Sequence, residues 1–102
     1  ERYGGLGLTM EEEVRVTMTL EAARKRDGGE TITLEASCCK LFSSEMVSRV
    51  ADRAVQIHGG AGYMQEYAVE RLYRDVRLFR LFEGTSQIQQ LVIARQMMRA
   101  RR

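Results

Sequence analysis

The chain has 102 residues, 44% of them hydrophobic and 29% charged, with a formal net charge of +2. That length suits one domain or a piece of a larger one, and the near-balance of charge argues against nucleic-acid binding. Arg, Lys or Glu interrupts every long apolar run, so no membrane span is expected.

Residues 1–9, ERYGGLGLT, are glycine-rich and read as an irregular N-terminal segment; residues 10–102 read as one helical domain. Proline is absent, which removes the commonest helix breaker. From Met10 to Arg26, Val14, Met18 and Ala22 recur at helical spacing. Glu11, Glu12 and Glu13 fall in the first turn and Arg24, Lys25 and Arg26 in the last, where each set complements the helix dipole. Gly28-Gly29 stops the helix.

Thr31 or Thr33 is placed to cap a second helix that runs to about Ile57. Its apolar stripe reads Cys39, Phe42, Met46, Val50, Ala54, Ile57, with Glu45 and Arg49 as an i,i+4 pair on the polar side. Cys38 and Cys39 are adjacent, so they cannot bridge each other, and no second pair completes a metal site. They read as two buried thiols of a reducing compartment, and no metal is expected. HGGAGY then breaks the helix.

A third, shorter helix is expected over Val69–Arg77, with Val69, Leu72, Tyr73 and Val76 on one face. The last opens near Thr85 or Ser86, where Ser86-x-x-Gln89 has the form of a capping box. Ile88, Leu91, Val92 and Met98 are expected inside, and Arg95 to Arg102 make a basic end. The fold class is therefore all-α, a small antiparallel helical bundle. Met64, Phe79, Leu81 and Phe82 exceed what four short helices cover, so a partner surface is expected.

Candidate chemistry lies in two places. QIHGGAGY carries Gln56, His58, the chain's one histidine, and Gly59-Gly60-x-Gly62 at a helix end. Such a turn serves as a plain helix stop or lets a ligand approach the backbone, and spacing alone decides neither. His58 has no acid or thiol at metal spacing and reads as a structural or ligand-lining residue. The arginines of RLYRDVRLFR read as a solvated face with local ion pairs. In LFEGTSQ, Glu83 follows Leu81 and Phe82 and precedes Gly84. Desolvation by those neighbours suits a general base, and N–H groups at the next helix start suit a developing oxyanion. A plain surface glutamate fits the same residues.

QIHGGAGY, followed by EYAVERLYRDVRLFRLFEGTSQIQQLVIAR, closely resembles the C-terminal helical domain of the acyl-CoA dehydrogenase family of flavoenzymes. The likeness runs back through ARKRDGGETITLEASCCKLFSSEMVSRVADRAVQ and covers roughly residues 20–100. The resemblance implies FAD-dependent α,β-dehydrogenation of acyl-CoA thioesters. Glu83 would remove the α-proton while hydride leaves to the flavin N5. The Glu83 N–H would help hold the thioester oxygen, and Gly84 would border the acyl thioester. Thr85, Ser86 and Gln87 would contact FAD near its pyrophosphate. Gln56, Ile57, His58, Gly59 and Gly60 would contact the adenosine end of an FAD held mainly by a neighbouring subunit.

The implied partners are acyl-CoA, an electron-transfer flavoprotein and further copies in a dimer or tetramer. The implied location is a bacterial cytoplasm or mitochondrial matrix. Ala68 stands where the family pattern usually has Pro. Family enzymes are several times longer, so the chain reads as a fragment or as the product of an internal deletion. A non-catalytic helical assembly and an acyl-CoA oxidase of the same superfamily are the alternatives.

Overall fold

The structure is a computed structural model that describes residues 10–101. The irregular segment expected at residues 1–9 lies outside the described residues, as do the side chains of Glu11, Glu12 and Glu13. Four helices follow in order: α1 (Met10–Asp27), α2 (Thr33–His58), α3 (Ala68–Arg77) and α4 (Ser86–Ala100). Short 3-10 turns cover Gly59–Tyr63 and Leu78–Arg80. No strand occurs among the described residues. No described helix is long and apolar enough to cross a membrane.

Helix α1 ends as its sequence suggests. Gly29 takes φ 80, the Gly29 N–H donates to Arg26 O, and the Glu30 N–H donates to Lys25 O. These paired backward bonds close a Schellman turn, satisfying carbonyls that the last turn leaves open. Lys25 then reaches Glu35 at 2.6 Å and joins the end of α1 to the start of α2. That bond raises the Lys25 pKa and lowers that of Glu35. Neither threonine caps α2: Ile32 occupies the cap position and no side chain bonds there.

Helix α2 is the hub, and α1, α3 and α4 all pack against it. Because neighbours approach it from several sides, no single stripe carries its burial. Met46 is buried as expected, and Cys39, Phe42 and Ala54 are half-buried. Val50 and Ile57 are exposed, while Ser37, Ser44 and Ala51 are buried instead. Small residues let helices approach closely, so helix contact buries them in place of the bulky stripe. The cysteines are free and half-buried, against the expectation of full burial. Burial nonetheless raises the Cys39 pKa, with a Thr19 hydrogen bond opposing, so this thiol stays protonated near neutrality.

In α4, Val92 is half-buried, but Ile88, Leu91 and Met98 are exposed, against expectation. Gln89, Val92, Ile93 and Gln96 form the half-buried face. In α3, Val69 and Val76 are half-buried, and Leu72 and Tyr73 are exposed. Met64, Phe79, Leu81 and Phe82 are all exposed, as the surplus of apolar residues implied. Among the described residues the buried apolar core consists of Ala22, Met46 and Ala51, and no large side chain is fully enclosed. Alone, this unit leaves many large apolar side chains, Leu91 and Met98 among them, open to water.

Candidate active site

Between α3 and α4 the chain turns back through residues 78–85. Glu83 stands at the apex with φ 50 and Gly84 follows with φ 89. Glycine enters this left-handed region freely, but a glutamate there costs about 1–2 kcal/mol relative to an ordinary conformation. Something must therefore hold it.

Three side chains do so. Lys40 Nζ on α2 donates to Phe79 O (2.8 Å) and to Gly84 O (2.7 Å). Gln89 Nε2 donates to Glu83 O at 3.1 Å. Glu45 Oε1, also on α2, accepts from Arg80 Nε (2.9 Å) and from Ser86 Oγ (2.7 Å). Each α2 residue thus takes one partner before Glu83 and one after it. A Cβ at Gly84 would lie 2.7 Å from Gln89 Nε2, so a larger residue would push aside the amide that holds Glu83.

The Ser86 hydroxyl, and then the Arg80 guanidinium, hold the Glu45 carboxyl below the ordinary range, with partial burial opposing them. The local Glu45–Arg49 pair expected from spacing is therefore replaced by a tertiary one. Arg49 acts only as a nearby charge. Thr85 is the cap of α4, its Oγ1 accepting from the Ile88 N–H at 3.2 Å. Ser86 does not cap a box with Gln89, because the helix starts one residue earlier than that motif needs and Gln89 is engaged with Glu83 O.

Glu83 lines an apolar-walled cleft of about 320 Å³ with Lys40, Ser43, Ser44, Val47, Phe79 and Phe82. The Phe79 and Phe82 rings sit 5.7 Å apart in a tilted arrangement. Glu83 itself is exposed, as are Leu81 and Phe82, so this chain does not supply the desolvation that the flanking residues suggested. The backbone N–H groups of residues 83–87 donate to no described residue, leaving a row of donors at the mouth of α4.

The second candidate group lies elsewhere. Gln56, Ile57, His58, Gly59 and Gly60 are all exposed at the C-terminal end of α2. His58 Nδ1 donates to Ala54 O at 2.8 Å, a local bond that orients the ring. Gly59 uses φ 59 to leave the helix. Gly62 is required by packing, since a Cβ there would meet Val55 O at 2.6 Å. Fifteen residues of helix at about 1.5 Å each put roughly 22 Å between Ser43, beside Glu83, and His58. One chain does not bring the two groups together. Among the described residues no cluster of His, Cys, Asp or Glu is placed to hold a metal.

Sequence reasoning missed Lys40, Gln89 and the Glu45–Arg80–Ser86 node. Their partners are backbone carbonyls or residues more than thirty positions away, which spacing does not reveal.

Residues 6–98 match the family described as acyl-CoA dehydrogenase, C-terminal domain. The chain belongs to this family. It is 50% identical over 92 residues to a probable acyl-CoA dehydrogenase of Bacillus subtilis, YngJ, spanning 90% of this chain and 24% of that protein. It is 49% identical over 77 residues to the caffeyl-CoA reductase-Etf complex subunit CarC of Acetobacterium woodii, spanning 76% of this chain and 20% of that one. The fold superposes on butyryl-CoA dehydrogenase from Megasphaera elsdenii with a TM-score of 0.81 and 35% identity, over 87% of this chain and 23% of that chain. The chain thus spans about a quarter of the length of such relatives.

Proposed function

We propose that the protein dehydrogenates acyl-CoA thioesters with FAD, and that Glu83 removes the α-proton. The observation that carries this reading is the conformation of Glu83. A carboxylate is held in an uphill backbone geometry at the edge of an apolar-walled cleft. Strain of this kind persists where surrounding bonds enforce it, and functional sites are where it collects.

The chemistry of an acyl thioester fits what lies beside it. An α-proton becomes acidic when the thioester carbonyl is polarised. The N–H of Glu83, which donates to no described residue, sits on the same residue as the base, so one backbone position serves both needs. Gly84, directly after Glu83 on the same loop, would border the acyl thioester through its backbone. Phe79, Phe82 and Val47 offer an apolar wall to the acyl chain, whose arrival would shield the exposed carboxylate.

FAD, when bound, supplies the hydride acceptor. The residues present fit it on two counts. The N–H groups of Thr85, Ser86 and Gln87 donate to no described residue and stand at a helix N-terminus, where a pyrophosphate is favoured. The Ser86 hydroxyl is committed to Glu45, so Ser86 would contribute its backbone N–H only. Around Gly59 and Gly60 there is open space where side chains would otherwise stand, consistent with close approach of an adenosine group. The separation of Gln56–Gly60 from Glu83 supports a site shared between copies of the chain, in a dimer or tetramer.

The similarity to an Etf-complex subunit supports an electron-transfer flavoprotein as redox partner. That relative, a subunit of a reductase complex, also favours a second reading in which the same residues run the reaction towards the saturated thioester, with Glu83 returning the proton. A bacterial cytoplasm or mitochondrial matrix suits either direction.

Glu83→Gln in the complete protein tests the assignment. It keeps the side-chain shape and removes the base, so turnover should fall by orders of magnitude with FAD retained. Native turnover would place the base elsewhere.

A further inference from the structure

The geometry points to Lys40 as a positioning residue that sets the backbone of the Glu83 loop through Phe79 O and Gly84 O. The inference rests on the reading of Glu83 as the base.

Lys40 carries three donors on one ammonium, and two of them reach carbonyls at 2.8 and 2.7 Å. Those carbonyls lie on either side of Glu83, at the start and at the end of the turn. The ammonium therefore fixes the distance between the two limbs of the loop. It also fixes the direction of the Gly84 carbonyl, which follows Glu83 directly. With Gly84 O held, the adjoining peptide has little freedom to rotate, and the left-handed setting of Glu83 is retained. Bonds from a charged donor are about twice as strong as neutral ones, and here they anchor the loop to the hub helix.

Gln89 holds Glu83 O from α4, and Glu45 holds Arg80 and Ser86 from α2. Neither of these contacts touches Phe79 O or Gly84 O. Loss of the lysine would leave both carbonyls without a partner among the described residues and let the apex relax away from its left-handed setting. The carboxylate would then address the cleft from a different point. Lys40 lines that cleft as well, so its aliphatic stem forms part of the wall that Glu83 faces. It acts on the reaction through Glu83.

A double-mutant cycle on the complete FAD-loaded protein tests this. The variants are Lys40→Met, Glu83→Gln and the pair, each assayed for kcat, KM for a short-chain acyl-CoA and bound flavin. Lys40→Met should lower kcat by about 10- to 100-fold, the cost of a misplaced reacting group, with KM and flavin content near native. In the Glu83→Gln background the same substitution should cost nothing further, because there is no base left to misplace.

A native kcat for Lys40→Met, or equal losses in both backgrounds, would overturn the positioning role while leaving Glu83 as the base. Native turnover for Glu83→Gln alone would overturn both readings together. If Lys40→Met does not retain flavin, Lys40→Gln decides on the same cycle. A single amide cannot replace the ammonium at both carbonyls, so a smaller kcat loss that vanishes in the Glu83→Gln background upholds the role. An unchanged kcat, or a loss of equal size in both backgrounds, overturns it.

Discussion

Ser86 donates its hydroxyl to Glu45 Oε1 at 2.7 Å, the oxygen that also takes Arg80 Nε at 2.9 Å. One carboxylate oxygen on the hub helix thereby joins the chain before Glu83 to the chain after it. The buried Ser86 side chain finds its partner there, and the first residue of α4 is fixed against α2.

Glu45→Gln should lower stability by about 1 kcal/mol at neutral pH, since a charge-assisted pair is replaced by weaker neutral bonds at a partly exposed site. The pH dependence follows from the lowered carboxyl pKa. The Glu45 contribution is complete above the unfolded glutamate value of about 4.3, and it is lost as the pH falls through the lower folded value. Thermal unfolding of native and variant proteins should therefore differ at pH 7 and converge in acid. A difference that persists unchanged in acid would show that the ionised form of Glu45 is not what matters.

Glu83→Gly should make the protein more stable and less active. Glycine adopts φ near 50 without the clash that a Cβ brings, so relief of the left-handed strain is worth about 1 kcal/mol. Unfolding in denaturant gives the sign directly, and an assay of the same sample should show turnover lost. A stability loss of about 1 kcal/mol in the glycine variant, the cost of glycine's freedom in the unfolded chain alone, would mean that Glu83 is not strained in the folded protein.

Gly60 and Gly62 look alike in HGGAGY but differ in what surrounds them. A Cβ at Gly62 would lie 2.6 Å from the Val55 backbone oxygen, whereas one at Gly60 would meet nothing within 4 Å. Gly62→Ala should cost about 1–3 kcal/mol through overpacking, and Gly60→Ala should be close to neutral in the absence of cofactor. Melting temperatures of the two variants as apoproteins, compared with the native apoprotein, check the contrast.

The helices were legible in the sequence because their signals are local. Periodic Val14, Met18 and Ala22, the basic last turn of α1 and the stop at Gly28-Gly29 all act within one helix. What faces inward was less legible. Exposed Val50, Leu91 and Met98 follow the helical period but lie where no other described helix covers them. Buried Ser37 and Ser44 break the apolar pattern because helix contact selects for size there.

At the site, Glu83-Gly84 was visible as an acid between an apolar run and a helix start. Its left-handed backbone was not, since only glycine advertises such a conformation. The contacts that enforce it join Lys40 to Gly84 and Glu45 to Ser86 across more than forty positions. Spacing favoured the nearer Glu45–Arg49 pair. That pairing needs no tertiary fold, which is why it was the legible one and why the fold displaced it.

The most direct measurement on Glu83 is the anaerobic reductive half-reaction in deuterated water. Bound flavin is followed by its visible absorbance while a short-chain acyl-CoA is added, and deuterium at the substrate α-carbon is read afterwards. The native protein should bleach and exchange α-protons with solvent, and Glu83→Gln should keep its flavin, bind the thioester and do neither at a comparable rate. Bleaching and exchange at native rates in Glu83→Gln would contradict its role as the base.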